Sequence, residues 1–302
     1  MEEYAFALLV EPHRRALHLH CYRMLGSLHD ADDALQETML RAWKGSDRFE
    51  PRAQFTTWLH AIATNVCLTA IARRRTRPTQ VTEDLIYLEP YPDTLLDDLV
   101  ERETVALAFI TAIQLLPPKQ RAVLILRDVL GFSGEEVAES LETTPKAVYS
   151  ALQRAHKTVE RQLPVLSQQQ TLSSLGDARV REIVETYVDA WERGDVDVVV
   201  SMLAEEAILA MPPRPSWYLG LDAARTFLAR GPLGPTVSRR AHRVHANGQV
   251  AVGVVYFAYP GEPETLPVLQ LLTLDPNGRI ADVTAFIGTN LEPFGLSSPF
   301  PV

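Results

Sequence analysis

The chain has 302 residues, which is enough for two domains or for three small ones. Apolar residues make up 46% and charged residues 22%, a balance typical of folded globular domains and not of disordered chains. The two cysteines, Cys21 and Cys67, fall in apolar helical patterns, so we expect buried thiols and no disulfide framework. No apolar run approaches membrane-spanning length, and no basic lead precedes the first short one, so we expect a cytoplasmic protein without a membrane partner.

The formal net charge of -9 is distributed unevenly along the chain. Residues 81–107 hold eight acids against one arginine, whereas residues 1–80 and 108–163 are near neutral and contain local basic clusters. Residues 164–302 are again acidic. A clustered basic patch matters more for nucleic-acid binding than the total charge does. The two near-neutral segments are therefore the candidates for such binding.

The first segment has helical periodicity throughout. The stretch "DADDALQETMLRAWKG" opens with acids and closes on Lys44 and Gly45, as a helix does. The stretch "QFTTWLHAIATNVCLTAIARRRTRP" begins as an apolar stripe and ends with four arginines in five residues. We predict a helical domain over residues 1–78 and an acidic, proline-containing linker over residues 79–107.

The second segment, residues 108–163, predicts a helix-turn-helix. Ser133 followed three residues later by Glu136 forms a capping box. Thr144 can cap the next helix, with Pro145 at its first position. Two helices of this size joined by a short turn are typical of DNA-binding proteins.

The third segment changes pattern after a polar linker at residues 164–178. An amphipathic helix stops at Gly194, and apolar runs separated by turn signals such as Asn247-Gly248 follow it. A helix near residues 222–229 lies between the first strand and the others. The sequence therefore predicts an α+β domain over residues 179–302, with a strongly curved antiparallel sheet that wraps around a cavity.

These motifs resemble a known family. The stretches "GSLHDADDALQETMLRAW", "TTWLHAIATNVCL" and "LLPPKQRAVLILRDVLGFSGEEVAESLETTPKAVYSALQRA" resemble regions two and four of extracytoplasmic-function sigma factors, in the family's order. The stretches "MPPRPSWYLG" and "FIGTNLEPFGL" look like the SnoaL-like extension of one actinobacterial group of these factors. The resemblance implies a multidomain chain in which two all-α sigma-type domains are followed by a SnoaL-like cone.

The resemblance also implies partners, namely core RNA polymerase and promoter DNA. It places the polymerase-binding surface on one helix, at Asp32, Asp33, Gln36, Glu37 and Arg41. It places contacts to the minus-ten element at His60, Thr64, Asn65, Arg73, Arg74, Arg75 and Arg77. It places contacts to the minus-thirty-five element at Lys146, Tyr149, Ser150, Gln153, Arg154 and Lys157. Arginine and lysine suit guanine edges or phosphates, and glutamine suits adenine.

Four positions depart from the family's usual pattern. Thr56 and Ala61 stand where arginines are typical, Tyr149 stands in place of a small polar residue, and His156 in place of an arginine. Affinity for DNA rises with the number of phosphates that a protein neutralises. The departures therefore predict weaker promoter binding than the family pattern alone would imply.

The third domain is expected to hold a pocket lined by aromatic and polar side chains. The candidates are Tyr187, Trp191, Met211, Trp217, Tyr218, Phe227, Tyr256, Gln270, Thr284 and Phe286. The candidate catalytic residues are His242, Tyr256 and Trp217. His242 and His245 are three apart on one strand, so at most one of them points inward. We find no metal-ligand spacing, phosphate loop or nucleophile motif, and we expect no metal and no cofactor.

Two hypotheses about function remain open at this point. In the first, the chain is a transcription initiation factor whose third domain regulates the sigma regions, with a small-molecule ligand as a further partner. In the second, the sigma scaffold has been repurposed as a cofactor-independent oxygenase or cyclase that acts on an aromatic, polyketide-like substrate. The missing arginines favour the second hypothesis, whose reaction class rests on fold analogy, and the intact helix-turn-helix pattern favours the first.

Overall fold

The structure is a computed structural model that describes residues 3–48, 54–76, 88–96, 99–212, 214, 216–257 and 265–296. The chain divides into two compact units. The first unit joins residues 1–89 to residues 107–163, and the second joins residues 90–106 to residues 164–302. Much of the segment that the sequence assigns to a linker is therefore part of the second unit.

The described part of the first unit is helical, with short 3-10 and π turns between the helices. Its α-helices are α1 (Glu3–Val10), α2 (Arg14–Leu25), α3 (Leu28–Gly45), α4 (Phe55–Thr76), α6 (Leu107–Gln114), α7 (Pro118–Leu124), α8 (Gly134–Ser140) and α9 (Pro145–Val159). Helices α2, α3 and α4 pack against one another, and α2 is buried from Leu17 to Leu25. Within α4, Phe55–Arg73 has the length and the mean hydropathy (1.3) of a membrane span by composition only.

The predicted helix-turn-helix is confirmed. The Ser133 hydroxyl accepts a hydrogen bond from the Glu136 backbone N–H at 3.1 Å, and the Glu136 carboxylate accepts one from the Ser133 N–H at 2.7 Å. The Thr144 hydroxyl accepts from the Ala147 N–H at 3.2 Å, and Pro145 is the first residue of α9. These caps fix where α8 and α9 begin, and so they fix the turn that joins the two helices.

The second unit combines helices with one six-stranded sheet. Its helices are α5 (Leu99–Val105), α10 (Gln168–Leu175), α11 (Asp177–Arg193), α12 (Val196–Met202) and α13 (Leu221–Arg230). Its strands are β1 (Leu203–Ala210), β2 (Trp217–Leu219), β3 (Arg239–Ala246), β4 (Gln249–Tyr256), β5 (Leu266–Leu274) and β6 (Ile280–Ile287). The predicted α+β architecture is confirmed.

The sheet is mixed, which corrects the prediction of a wholly antiparallel one. Its strand order is β2-β1-β6-β5-β4-β3, and β1 runs parallel to β6 while the other neighbours are antiparallel. The sequence contains local turn signals for successive antiparallel strands. It contains no local signal that the last strand returns beside the first, because that pairing joins residues about 75 positions apart.

The two faces of the sheet are buried by different parts of the unit. Helix α11 lies against one face, where Tyr187 and Trp191 pack with Val252, Val254 and Tyr256. On the other face, a Cβ at Gly253 would lie 2.4 Å from Leu296 and 3.5 Å from Leu291, so the C-terminal segment lies there. Side chains on one strand therefore alternate between an inner face under α11 and an outer face under the C-terminal segment.

Candidate nucleic-acid interface

Helix α9 presents its polar face to solvent. The inner positions Val148, Ala155 and Val159 are buried, which fixes the rotation of the helix about its axis. The outer face holds the exposed residues Lys146, Tyr149, Ser150, Gln153, Arg154 and Lys157. Arg154 donates a hydrogen bond to the Ser150 hydroxyl at 2.7 Å. An amphipathic helix with such a face has the shape and the donors needed to enter a major groove.

The two unusual residues of α9 contact the rest of the helix-turn-helix. The Tyr149 ring lies 5.9 Å from the Arg127 guanidinium, and its hydroxyl packs against Gly134 at the start of α8. His156 pairs with the Asp128 carboxylate. Tyr149 and His156 therefore help to hold α9 against the preceding turn, and both are exposed.

Helix α4 buries part of its predicted DNA-binding face. His60 is 2% exposed, and Thr64 is fully buried. Thr64 Oγ1 lies 2.9 Å from the His20 ring Nε2 and donates to the His60 carbonyl at 2.7 Å. Burial lowers the pKa of His60 to about 4, so the ring is neutral at pH 7. In this structure neither side chain is accessible to a nucleotide, which differs from the placement that the sequence suggests.

Part of the polar side of α4 contacts α8 and the turn before it, although Asn65 stays exposed. The Asn65 amide donates to the Ser140 carbonyl at 3.3 Å, and the Thr57 hydroxyl donates to Glu136 Oε1 at 3.3 Å. The His60 ring meets the Phe132 ring edge-on, with centroids 5.6 Å apart. These three contacts lie within the first unit, and we refer to them together as the α4–α8 contact. Sequence reasoning missed the roles of Thr57 and Phe132, because both lie within the quoted sigma-like stretches but outside the positions that the resemblance assigns to DNA.

The arginine run at the end of α4 is only partly described. Arg73 is exposed. Arg74 and Arg75 lie in the last turn of the helix, but their side chains lie outside the described residues, as does Arg77. Their contact with DNA phosphates stays a prediction.

The predicted polymerase-binding residues lie on the outer face of α3. Asp32, Asp33, Gln36 and Arg41 are exposed, and Arg41 Nε donates to the Glu37 carboxylate at 2.6 Å. The same face holds a residue that the sequence reading missed: Leu40, which is 55% exposed. An exposed apolar side chain with charged neighbours matches the apolar centre and polar rim of a protein-binding surface.

In the second unit, the β3–β4 turn holds the segment that follows residue 89. The Asn247 side chain accepts from the Tyr91 N–H at 2.8 Å and donates to the Val105 carbonyl at 2.8 Å, while its own N–H donates to the Tyr91 carbonyl at 2.8 Å. The Gly248 N–H donates to Asp93 Oδ1 at 2.8 Å. We call this set of hydrogen bonds the linker clasp. Asn247 and Gly248 both have positive φ, as a tight hairpin requires.

The inner face of the sheet, α11, α13 and the segments that follow β1 and α13 line a cavity of about 150 Å³. Six of the ten predicted pocket residues line it: Trp191, Met211, Tyr218, Phe227, Tyr256 and Gln270. Tyr187 lies behind Gln270 and donates to its Oε1 at 2.9 Å.

Four sequence predictions for the cavity are wrong. Trp217 is 63% exposed, because it alternates with Tyr218 on β2 and so points to the other face. On β6 the lining residues are Val283, Ala285 and Ile287. Thr284 and Phe286 alternate with them and so point to the other face of the sheet. His242 on β3 lies opposite Gly253 on β4, and residues that are directly opposite share a face of the sheet. His242 therefore lies on the outer face, where Leu291 packs beside Gly253. Of the three catalytic candidates, the cavity contains Tyr256 alone.

Comparisons with known proteins agree with this architecture. Residues 9–77 match Sigma-70 region 2, residues 106–159 match Sigma-70 region 4, and residues 184–283 match the SnoaL-like domain. The ECF RNA polymerase sigma factor SigG of Mycobacterium tuberculosis is 40% identical over 96% of this chain and 84% of that protein. SigM of the same organism is 35% identical over 55% of this chain and 81% of that protein.

A solved structure shares the fold over nearly the whole chain. The crystal structure of the extracytoplasmic function sigma factor SigJ of Mycobacterium tuberculosis superposes with a TM-score of 0.67. The match covers 96% of this chain and all of that one, at 21% sequence identity. The matches to Sigma-70 regions 2 and 4 and the helical fold of the first unit define a sigma-type transcription factor. A SnoaL-like domain is fused to it. The chain belongs to the ECF RNA polymerase sigma factors.

Proposed function

We propose that this chain directs promoter-specific transcription initiation in the cytoplasm and that α3, α4 and α9 each bind a different partner. In this proposal α3 binds core RNA polymerase through its exposed charged residues and Leu40. Helix α9 reads the minus-thirty-five element, and α4 engages the minus-ten element after its polar side is released from α8. The observation that carries the proposal is the exposed polar face of α9, which is fixed by the Ser133 and Thr144 caps.

The SnoaL-like domain regulates this activity through the linker clasp, in our proposal. A fully extended chain over residues 77–106 would span roughly 100 Å. When the clasp holds residues 91–105, the part that can extend is residues 77–90, which spans roughly 50 Å. The two promoter elements are centred about 25 base pairs apart, which is roughly 80 Å along the duplex. The clasp therefore restrains the separation of regions two and four, and its release favours simultaneous contact with both elements.

The chemistry of the cavity supports a regulatory ligand over the enzyme hypothesis. The described lining residues offer hydroxyls, an amide, an indole and one guanidinium. None of those groups is a carboxylate or an imidazole that could transfer protons near neutral pH. The proposal accordingly includes a small-molecule partner for the cavity and no catalytic step.

The polymerase-binding part of the proposal is tested by Leu40→Asp. Placing a carboxylate at this apolar position should weaken binding to core polymerase at least tenfold while leaving the fold intact, because the side chain is exposed. Leu219→Asp is the matched control, since Leu219 is 53% exposed in the second unit. Equal core binding by both variants, measured with purified core enzyme, would overturn the role of α3.

The regulatory part is tested by Asn247→Ala in the full chain. The variant leaves the buried Tyr91 N–H and the Val105 carbonyl without this partner, so the clasp should open. We expect faster proteolysis within residues 90–106 and a several-fold rise in transcription from the cognate promoter. Faster proteolysis with unchanged transcription would overturn regulation through the clasp.

A further inference from the structure

The cavity of the second unit is sized for one six-membered ring. Its volume is about 150 Å³, and apolar cavities of this size hold benzene. Tyr218 and Phe227 form one wall, stacked with ring centroids 4.3 Å apart and planes 20° from parallel. Trp191 supplies a further aromatic surface. An aromatic ring is the shape that these walls accommodate best.

The buried end of the cavity carries one oriented amide. Gln270 is 2% exposed, and its Oε1 accepts the Tyr187 hydroxyl proton. Burial raises the pKa of Tyr187 well above its ordinary value, so the phenol keeps the proton that it donates. This hydrogen bond orients the amide and leaves Nε2 as a donor for the cavity. Among the described residues, the hydrogen bond that the Gln270 side chain makes is the one from Tyr187 to Oε1.

The charges around the cavity disfavour an ionised ligand group at its buried end. Among the described lining residues the only one with a formal charge is Arg214, which is exposed at the mouth. An ionised ligand group beside Gln270 would lose its hydration, and the buried Arg239 guanidinium behind Trp191 and Pro232 already donates to their carbonyls. The group that meets Gln270 Nε2 must therefore be a neutral acceptor.

One wall of the cavity is held in shape before any ligand binds. Arg239 Nε donates to the Trp191 carbonyl at 2.8 Å, and its Nη1 donates to the Pro232 carbonyl at 2.9 Å. Pro232 lines the cavity, so the guanidinium ties the end of α11 to the loop after α13. A preformed site avoids part of the ordering cost of binding.

We infer that this cavity binds a neutral monocyclic aromatic carbonyl compound, with the ring between the aromatic walls and the carbonyl oxygen accepting from Gln270 Nε2. The inference names the class of the small-molecule partner and so rests on that part of the proposed function. It assigns no chemical step to the cavity.

The test is isothermal titration calorimetry of the full chain with acetophenone, α-methylstyrene and benzoate. The three probes have similar shapes, but α-methylstyrene lacks the acceptor and benzoate carries a charge. We expect acetophenone to bind saturably at one site per chain. The affinity for α-methylstyrene and for benzoate should be lower by a factor of about ten or more. No saturable acetophenone binding, or equal binding of α-methylstyrene or benzoate, would overturn the inference.

Two variants on one strand locate the binding site. Ala285→Phe places a ring inside the cavity and should abolish acetophenone binding, whereas Thr284→Phe, on the opposite face of β6, should retain it. Loss of binding in both, or in neither, would exclude the cavity as the site.

Promoter transcription by the wild-type chain is measured in parallel. Transcription without acetophenone binding overturns the ligand assignment alone, and binding without transcription overturns the proposed function alone.

Discussion

Helices α4 and α9 are both expected to meet promoter DNA, yet they present their polar residues in opposite ways. The polar face of α9 is exposed along its length, from Lys146 to Lys157. On α4, His60 and Thr64 are buried, whereas Asn65 is exposed and donates to the Ser140 carbonyl. The difference follows from the neighbours of each helix. Helix α9 packs through one apolar stripe, whereas α4 packs through its apolar stripe and is also covered by α8.

This contrast suggests an order of events in promoter recognition. A helix whose polar face is already exposed can contact duplex DNA without rearrangement. A helix whose polar side is covered must first lose that cover, and the free energy for this must come from binding elsewhere. We therefore expect the minus-thirty-five contact to precede release of the α4–α8 contact.

The largest expected effect comes from removing the donors of α9. The double variant Gln153→Ala/Arg154→Ala should weaken promoter binding by the holoenzyme roughly 100-fold or more, since each good base contact contributes about 1–3 kcal/mol. Both residues are exposed, so the fold should persist. The measurement is a holoenzyme titration on promoter and on scrambled DNA at one salt concentration. A uniform loss on both DNAs would assign the pair to phosphate contact, not to base reading.

The buried histidine of α4 predicts a pH dependence of the stability of the first unit. The pKa of His60 is about 4 in the folded chain against 6.5 for the free side chain, so the unfolded chain binds more protons between those values. The free energy of unfolding should therefore fall as pH drops from 6.5 to 4, by roughly 3 kcal/mol from this residue.

The control for this prediction lies within the same unit. His60→Met should flatten the pH profile of chemical denaturation, although burial also lowers the pKa of His20 and adds a dependence of the same sign. His29→Gln should leave the profile unchanged, because the His29 side chain is 78% exposed. An unchanged profile for His60→Met would show that His60 is not buried as a neutral ring.

The smallest expected effect comes from loosening the α4–α8 contact. Thr57→Val keeps the shape of the side chain and removes its hydrogen bond to Glu136, which is worth at most about 1 kcal/mol at this length. We expect a rise of a few-fold in the rate of promoter opening. Thr69→Val is the matched control, since Thr69 donates only to the Asn65 carbonyl within α4. Equal rates in the two variants would show that the Thr57 bond does not restrain α4.

Local sequence signals predicted the helix-turn-helix and most of the α+β domain. The Ser133 and Thr144 caps and the Asn247-Gly248 turn are local features, and the structure contains all three. The sequence did not reveal that Asn247 also binds the backbone of Tyr91, because that contact spans 156 residues.

The candidate sites were harder to predict from the sequence, for a related reason. Which of two adjacent strand residues faces a cavity depends on register, and a shift by one residue exchanges the two faces. Trp217 and Phe286 were placed on the wrong face in this way, whereas Tyr218 and Gln270 were placed correctly. For α4, the apolar stripe indicated the buried side, but the cover from Phe132 depends on a contact between separate parts of the chain.

We expect the His60 side of α4 to be covered in the free protein and uncovered when α4 engages DNA. The most direct test is histidine modification by diethyl pyrocarbonate, read residue by residue by mass spectrometry. In the free full chain, exposed His29 should react at least tenfold faster than buried His60, and holoenzyme on promoter DNA should narrow that ratio relative to holoenzyme alone. Reaction of His60 at the rate of His29 in the free chain would contradict the account.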